Sequence, residues 1–176
     1  MKKIITAFVL LTGLTAYCQN TRIDSSAALA NLKSSAQKMR QYLVDRNFTE
    51  FVKFIPPEIS KMAGGQEQLA ALTKKSIKDM EAQGMAITDV SVDFPGKLIS
   101  YKNQLQFVVQ ENLNIKVKGG HLQARSYLLA LSYDKGKTWY FVDTSGKTLA
   151  QMQAGIPNLS SQLVIPAKEQ PLFFKD

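Results

Sequence analysis

Apolar side chains recur at three- and four-residue steps through the first half of the chain, which is the spacing of one face of a helix. Asp24 or Ser25 can cap the first helix by accepting a free backbone N–H. Pro56-Pro57 ends the second helix, because proline disfavours the helical conformation in the residue before it, and Gly84 ends the third. The predicted helices cover about residues 25–43, 49–54 and 66–83.

The period changes to two after Gly84, which predicts β-strands. These strands cover about residues 86–94, 104–118, 121–133 and 138–143, with short turns between them. Helices followed by a run of strands indicate the α+β class, with the N-terminal helices packed on an antiparallel sheet.

Gly119-Gly120 predicts the turn of a long hairpin, since glycine accepts the positive φ of two-residue turns. Closing the hairpin directly on these glycines places Lys118 opposite His121 and Val117 opposite Leu122. One face then carries Glu111 within an otherwise apolar or small row. The predicted pocket residues on this face are Phe107, Val109, Glu111, Leu113 and Leu128. The other face carries the predicted interface residues Val108, Tyr127, Leu129, Leu131 and Tyr133.

The first eighteen residues have the pattern of an export signal. Lys2 and Lys3 precede an apolar run over residues 4–14, which is shorter than the roughly 20 residues that span a bilayer. Signal peptidase could cut after Cys18, or residues 14–18 could act as a lipobox that leaves Cys18 lipidated. We therefore expect a signal peptide over residues 1–18, a domain over 19–155 and an extended tail over 156–176, in a periplasmic, secreted or lipid-anchored protein.

Composition excludes several classes of function. The 176 residues contain one His and one Cys, too few for a zinc site or a disulfide framework, and no cofactor motif occurs. Removing residues 1–18 takes two lysines from the net charge of +8 and leaves +6. The densest basic cluster, Lys74, Lys75 and Lys78, lies on the polar side of a predicted helix, so we expect no nucleic-acid partner.

Three local motifs accompany this order of elements. They are the step Asn47-Phe48-Thr49-Glu50-Phe51 into the second helix, the segment Ile55-Pro56-Pro57-Glu58-Ile59, and Gly64-Gly65 before the third helix. Over residues 25–145 the chain resembles the NTF2-like superfamily, also called SnoaL-like or cystatin-like, and especially small exported bacterial members without an assigned activity. The resemblance implies a cone of helices on a curved antiparallel sheet.

The segment from Ser132 to Trp139 matches the Asp-box pattern S-x-D-x-G-x-T-W. This motif recurs once per blade in sialidases and other propeller proteins, but here it occurs once, in a chain too short for six blades. Its physics is local: the Asp134 carboxylate accepts amides of the turn, Gly136 takes positive φ, and Trp139 packs beneath. The match therefore predicts a tight hairpin turn.

Three functions stay open at this point. The first is a non-catalytic domain that binds a small apolar ligand, or a protein partner, in the cone pocket. The second is a cofactor-free isomerase or dehydratase in which Glu111, with Tyr127 or another hydroxyl, does acid–base chemistry, as ketosteroid isomerase and scytalone dehydratase do within this superfamily. The third is an envelope protein that forms a homodimer through the other sheet face. His121 follows a turn and is expected to be solvated.

Overall fold

The computed structural model describes residues 24–144, 146–156 and 158–176. The predicted signal peptide, Cys18 included, lies outside these residues. None of the helices among the described residues combines the length and the apolar character that crossing a membrane requires.

Five α-helices are present in the described chain, four of them before the sheet. Asp24 caps the first helix, as predicted, because its carboxylate accepts from the backbone N–H groups of Ser26 and Ala27 at 3.0 and 3.1 Å. The third helix, which was not predicted from the sequence, starts at Pro57 just after the predicted break, because proline suits the first helical turn. The helices are α1 (Ser25–Val44), α2 (Phe48–Phe51) with a 3-10 turn (Val52–Phe54), α3 (Pro57–Met62), α4 (Gln66–Ala82) and α5 (Leu149–Gly155).

Six strands of the described chain form one antiparallel sheet, in the order β1-β3-β4-β5, with β2 paired to β3 and β6 paired to β4. The four long strand predictions are confirmed to within a few residues. The α+β class is therefore confirmed. The strands are β1 (Ala86–Asp93), β2 (Ile99–Tyr101), β3 (Gln104–Val117), β4 (Gly120–Ser132), β5 (Tyr140–Asp143) and β6 (Leu172–Lys175).

The predicted register of the central hairpin is wrong by two positions. Val117 pairs with Gly120 rather than Leu122, and the turn consists of Lys118 and Gly119, with Gly119 at φ +80°. Gly120 is part of β4, where a Cβ atom would lie 2.1 Å from the carbonyl oxygen of Phe174 in β6. Because the error is even, every side chain stays on its predicted face of the sheet.

The sheet buries side chains on both faces. Its inner face packs against α1, and its outer face packs against α5, Ile156 and residues 158–165. The inner cluster contains Ala28, Leu32, Ala36, Met39, Leu105, Phe107, Val109, Leu128, Ala130, Trp139 and Phe141. The outer cluster contains Ile99, Val108, Tyr127, Leu129, Leu131, Met152, Ile156, Leu159 and Leu163.

The Asp-box segment forms the tight turn between β4 and β5 and ties it to α1. Asp134 Oδ1 accepts from the backbone N–H groups of Lys137 and Thr138 at 3.0 and 2.8 Å, and Gly136 has φ +87°. Trp139 is buried and donates from Nε1 to the carbonyl of Ala28 at 3.1 Å. The motif therefore acts as a structural clamp between α1 and the sheet.

Candidate functional site

The inner face of the sheet, where the pocket was predicted, is filled at four of the five predicted pocket positions. Phe107, Val109, Glu111 and Leu128 are all buried, and the three apolar side chains among them belong to the inner cluster under α1. Leu113 is half-buried nearer the hairpin turn. Space for a ligand must therefore be sought elsewhere on the described chain.

Glu111 is a buried carboxyl group on the inner face. Ser126, directly opposite on β4, donates a hydrogen bond of 2.9 Å from Oγ to Oε2 of Glu111. Burial raises the pKa of Glu111 to about 7; the Ser126 hydrogen bond opposes this rise, and the negative charge of Asp143 adds to it. Near neutral pH, the Glu111 side chain is therefore present partly as the protonated acid and partly as the carboxylate.

Tyr127, the other catalytic candidate, does not meet Glu111. Tyr127 pairs with Gln110 and lies in the outer cluster, where its hydroxyl donates to Glu169 at 3.4 Å. The sheet separates the two groups, because neighbouring positions on a strand point to opposite faces. The hydroxyl that accompanies Glu111 is that of Ser126.

Four of the five predicted interface residues are covered by the chain itself. Val108, Tyr127, Leu129 and Leu131 are buried under α5, Ile156 and residues 158–165. Tyr133 remains 39% exposed and donates from its hydroxyl to Glu58 at 2.5 Å; burial and this contact raise the Tyr133 pKa. In this arrangement the outer face offers no contiguous apolar patch at these positions.

A buried glutamine fixes the segment that covers the outer face. Gln106, on β3, donates from Nε2 to the carbonyl of Asn158 at 2.6 Å, and its Oε1 accepts from the backbone N–H of Ser160 at 2.9 Å. Leu159 and Leu163 then pack into the outer cluster. The sequence analysis missed this role; the apolar residues of the segment were the available signal.

Beyond this segment, residues 166–171 run along β4 towards β6, and we call them the C-terminal strap. Arg125 of β4 holds the strap through two hydrogen bonds of 3.0 Å to the two carboxylate oxygens of Glu169. The Glu169 contact raises the pKa of the Arg125 guanidinium. Both groups are about half exposed, so this ion pair joins two surface elements.

Two cavities lie between the strap and the sheet, and we call them together the strap cleft. Arg125 lines both. The first has a volume of about 190 Å³ and is lined by Arg125, Ser126, Tyr127, Asp143, Thr144, Gly146, Pro166 and Lys168. The second has a volume of about 260 Å³ and is lined by Ser91, Asn112, Leu113, Asn114, Gln123, Ala124, Arg125, Glu169, Gln170 and Leu172.

Two residues that line the first cavity also act on the buried carboxyl group of Glu111. Ser126 lines this cavity and donates to Glu111, while Asp143 lines it and raises the Glu111 pKa. A ligand that contacts Ser126 or Asp143 would therefore change the environment of Glu111 without touching it. Sequence reasoning found Glu111 and missed the cavity, because Pro166 and Lys168 come from a distant part of the chain.

The second cavity is polar and rich in carboxamides. Asn112 donates from Nδ2 to Asp93 at 2.8 Å and accepts from Gln110 at 3.0 Å. Within the described chain, the side chains of Asn114, Gln123 and Gln170 have no hydrogen-bond partner. Amides that have no protein partner and face a cavity can both donate to and accept from a ligand.

His121 lies at the surface beside β6. Its ring stacks on Phe174 with 5.2 Å between centroids, and its Nδ1 lies 3.8 Å from Oδ1 of Asp176. The described residues contain no group of three or more His, Cys, Asp and Glu side chains placed to hold a metal ion. The strap cleft, in which two cavities share Arg125 beneath the strap that Glu169 ties down, is the candidate site.

No family model matches the chain, and no curated protein matches it. The candidate site thus has to be interpreted from its own geometry.

Proposed function

We propose that this protein is an exported, non-catalytic binding domain of NTF2-like architecture, periplasmic or secreted, whose small ligand occupies the strap cleft. The observation that carries the proposal is the pair of cavities that share Arg125 under one strap. Concave sites closed by two chain segments are the usual place for small ligands. Because buried side chains fill the inner face, we place the expected site in the strap cleft instead. The lining of this cleft is largely polar, so we expect a more polar ligand than the apolar one predicted from the sequence.

The Arg125–Glu169 ion pair gives the site a means of closing. Together with the 3.4 Å hydrogen bond from the Tyr127 hydroxyl to Glu169, it fastens the middle of the strap to β4. The ion pair is solvent-exposed, so it can open at little cost. A ligand can enter while the pair is open and be held when it re-forms. The strap would thus act as a lid of the binding site.

An acid–base enzyme is the second candidate, and the raised pKa of Glu111 favours it. A general acid or base has to reach the proton that it transfers, either directly or through one water. Glu111 is 8% exposed and is not among the residues that line the cleft; its neighbours Ser126 and Asp143 line the first cavity instead. Binding therefore agrees better with this geometry than catalysis does.

Native mass spectrometry of the full-length protein from its native source tests the proposal. We expect a bound small molecule, retained in Arg46→Ala and lost or strongly depleted in Arg125→Ala. Arg46→Ala is the matched control, because it removes a comparable ion pair, to Glu81 at 2.6 Å, on the helical side. A protein without any adduct, or equal retention by the two variants, contradicts the proposal; circular dichroism verifies that both variants fold.

A further inference from the structure

The second cavity of the strap cleft has the chemistry of a site for an uncharged, polyhydroxylated molecule. Its polar groups form two rows across the outer face. Ser91, Asn112 and Arg125 stand side by side on β1, β3 and β4, and Asn114 stands beside Gln123 in the next row. Directly opposed residues have Cβ atoms about 5 Å apart, so neighbouring side chains can contact one small ligand together.

Carboxamides suit hydroxyl groups, because each offers two N–H donors and a carbonyl acceptor, and a hydroxyl both donates and accepts. The side-chain N–H and carbonyl groups of Asn114 and Gln123 have no hydrogen-bond partner among the described residues. Gln170 of the strap adds a third such amide. Ser91 adds a hydroxyl without a partner in the described chain. A ligand with several adjacent hydroxyls can satisfy these groups from both walls of the cavity.

The charges that line this cavity are already paired, which disfavours an ionic ligand. Its only cationic side chain, Arg125, binds both carboxylate oxygens of Glu169. The pair leaves the cavity lining with no net charge, so neither an anion nor a cation gains a net electrostatic attraction from it. A neutral ligand leaves the pair intact and the strap closed.

The volume of the second cavity and its apolar lining narrow the class of ligand further. The volume of about 260 Å³ lies just below the range of roughly 300–1,000 Å³ usual for drug-sized ligands, which suits a molecule of about one ring. Leu172 lines the cavity and is 62% exposed, so it offers a small apolar surface to the C–H face of such a ring. No aromatic side chain lines the cavity to stack on that ring.

We infer that the second cavity binds a neutral saccharide, with Asn114 and Gln123 on the sheet and Gln170 on the strap recognising its hydroxyl groups. The inference rests on the proposed function and names the ligand class of its site.

Titration with neutral sugars, followed by ¹H–¹⁵N NMR of the side-chain amides, tests the inference. The probes are glucose, galactose, N-acetylglucosamine and maltose, with inorganic phosphate and acetate as charged comparisons. We expect at least one sugar to shift the amide signals of Asn114 and Gln123, and neither anion to do so. The double variant N114A/Q123A should weaken that sugar at least tenfold, whereas Gln37→Ala, an exposed amide on α1, should leave the affinity unchanged.

Three results overturn the inference: no sugar shifts these signals, an anion binds more tightly than every sugar, or N114A/Q123A binds as the unchanged protein does. The proposal that this protein is a binding domain is tested separately, by the adduct that Arg125→Ala should release. A non-saccharide adduct that Arg125→Ala releases keeps the binding domain and rejects the saccharide, while the absence of any Arg125-dependent adduct rejects the binding domain itself.

Discussion

Ser126 lies directly across the hairpin from Glu111, and its hydroxyl donates a 2.9 Å hydrogen bond to that buried carboxyl group. The pairing follows from the turn at Lys118-Gly119; with the turn on Gly119-Gly120, Leu128 would face Glu111 instead. A hydroxyl there keeps the carboxyl hydrogen-bonded but does not offset its burial, so the Glu111 pKa rises to about 7.

Glu111 should make the stability of the protein fall as the pH rises. An acid whose pKa is raised by folding binds more protons in the folded state than in the unfolded state, so the free energy of unfolding decreases between the two pKa values. From the ordinary value of 4.5 to about 7, this decrease amounts to about 3 kcal/mol. Urea denaturation at pH 5 and pH 8 should show it.

Glu111→Gln removes this titration and keeps the shape of the side chain, so its stability should change far less over the same interval. Glu67→Gln is the control, because Glu67 is exposed on α4 and its loss should leave the pH dependence intact. An equal decrease in stability in Glu111→Gln and the unchanged protein would assign the effect to other groups.

The neighbours of Glu111 should shift its pKa in opposite directions. Asp143→Asn removes a negative charge that raises the Glu111 pKa, so this pKa should fall. Ser126→Ala removes a hydrogen bond that lowers the pKa, so it should rise further. Carboxyl ¹³C NMR titration of Glu111 measures both shifts, and two changes of the same sign would contradict the assigned causes.

Gly136, in the Asp-box turn, lies so close to α1 that a side chain there would collide with it. A Cβ atom at Gly136 would lie 2.4 Å from Cβ of Ala28, and the residue has φ +87°. Gly136→Ala should therefore combine backbone strain with displacement of α1 and lower the free energy of unfolding by about 3 kcal/mol.

Gly119→Ala separates the two contributions. Gly119 has a similar φ of +80°, but nothing lies within 4 Å of a Cβ atom there. Its substitution should cost only the backbone strain, about 1 kcal/mol. Urea denaturation of both variants gives the comparison, and equal losses would show that α1 does not press on Gly136.

Three helices, the four predicted strands and the two sheet faces could be predicted from the sequence because each depends on a local period. The short elements α3, α5, β2 and β6 were not predicted. Even a register error of two left Glu111 on the inner face, since side chains alternate along a strand. The strap cleft could not be predicted, because Arg125 and Glu169 are far apart in the chain and neither belongs to a motif. The segment that covers the outer face could not be predicted either, because Leu159 and Leu163 have no periodic pattern around them.

The docking of β6 should depend on the absence of a side chain at Gly120. Its φ lies outside the positive region, so a substitution there adds no backbone strain, yet a Cβ atom would lie 2.1 Å from the Phe174 carbonyl oxygen. Gly120→Ala should detach β6 from β4 and separate Phe174 from His121. Hydrogen exchange should show faster exchange of the amides of residues 172–175, with the centre of the β3–β4 hairpin still protected.

Gly155→Ala is the matched control, because nothing lies within 4 Å of a Cβ atom at the end of α5. It should leave the exchange of residues 172–175 unchanged. The four residues of β6 are all exposed, so losing their contacts should hardly lower the stability of the domain. Unchanged protection of β6 in Gly120→Ala would mean that the strand can move aside, and the need for glycine at this position would then be rejected.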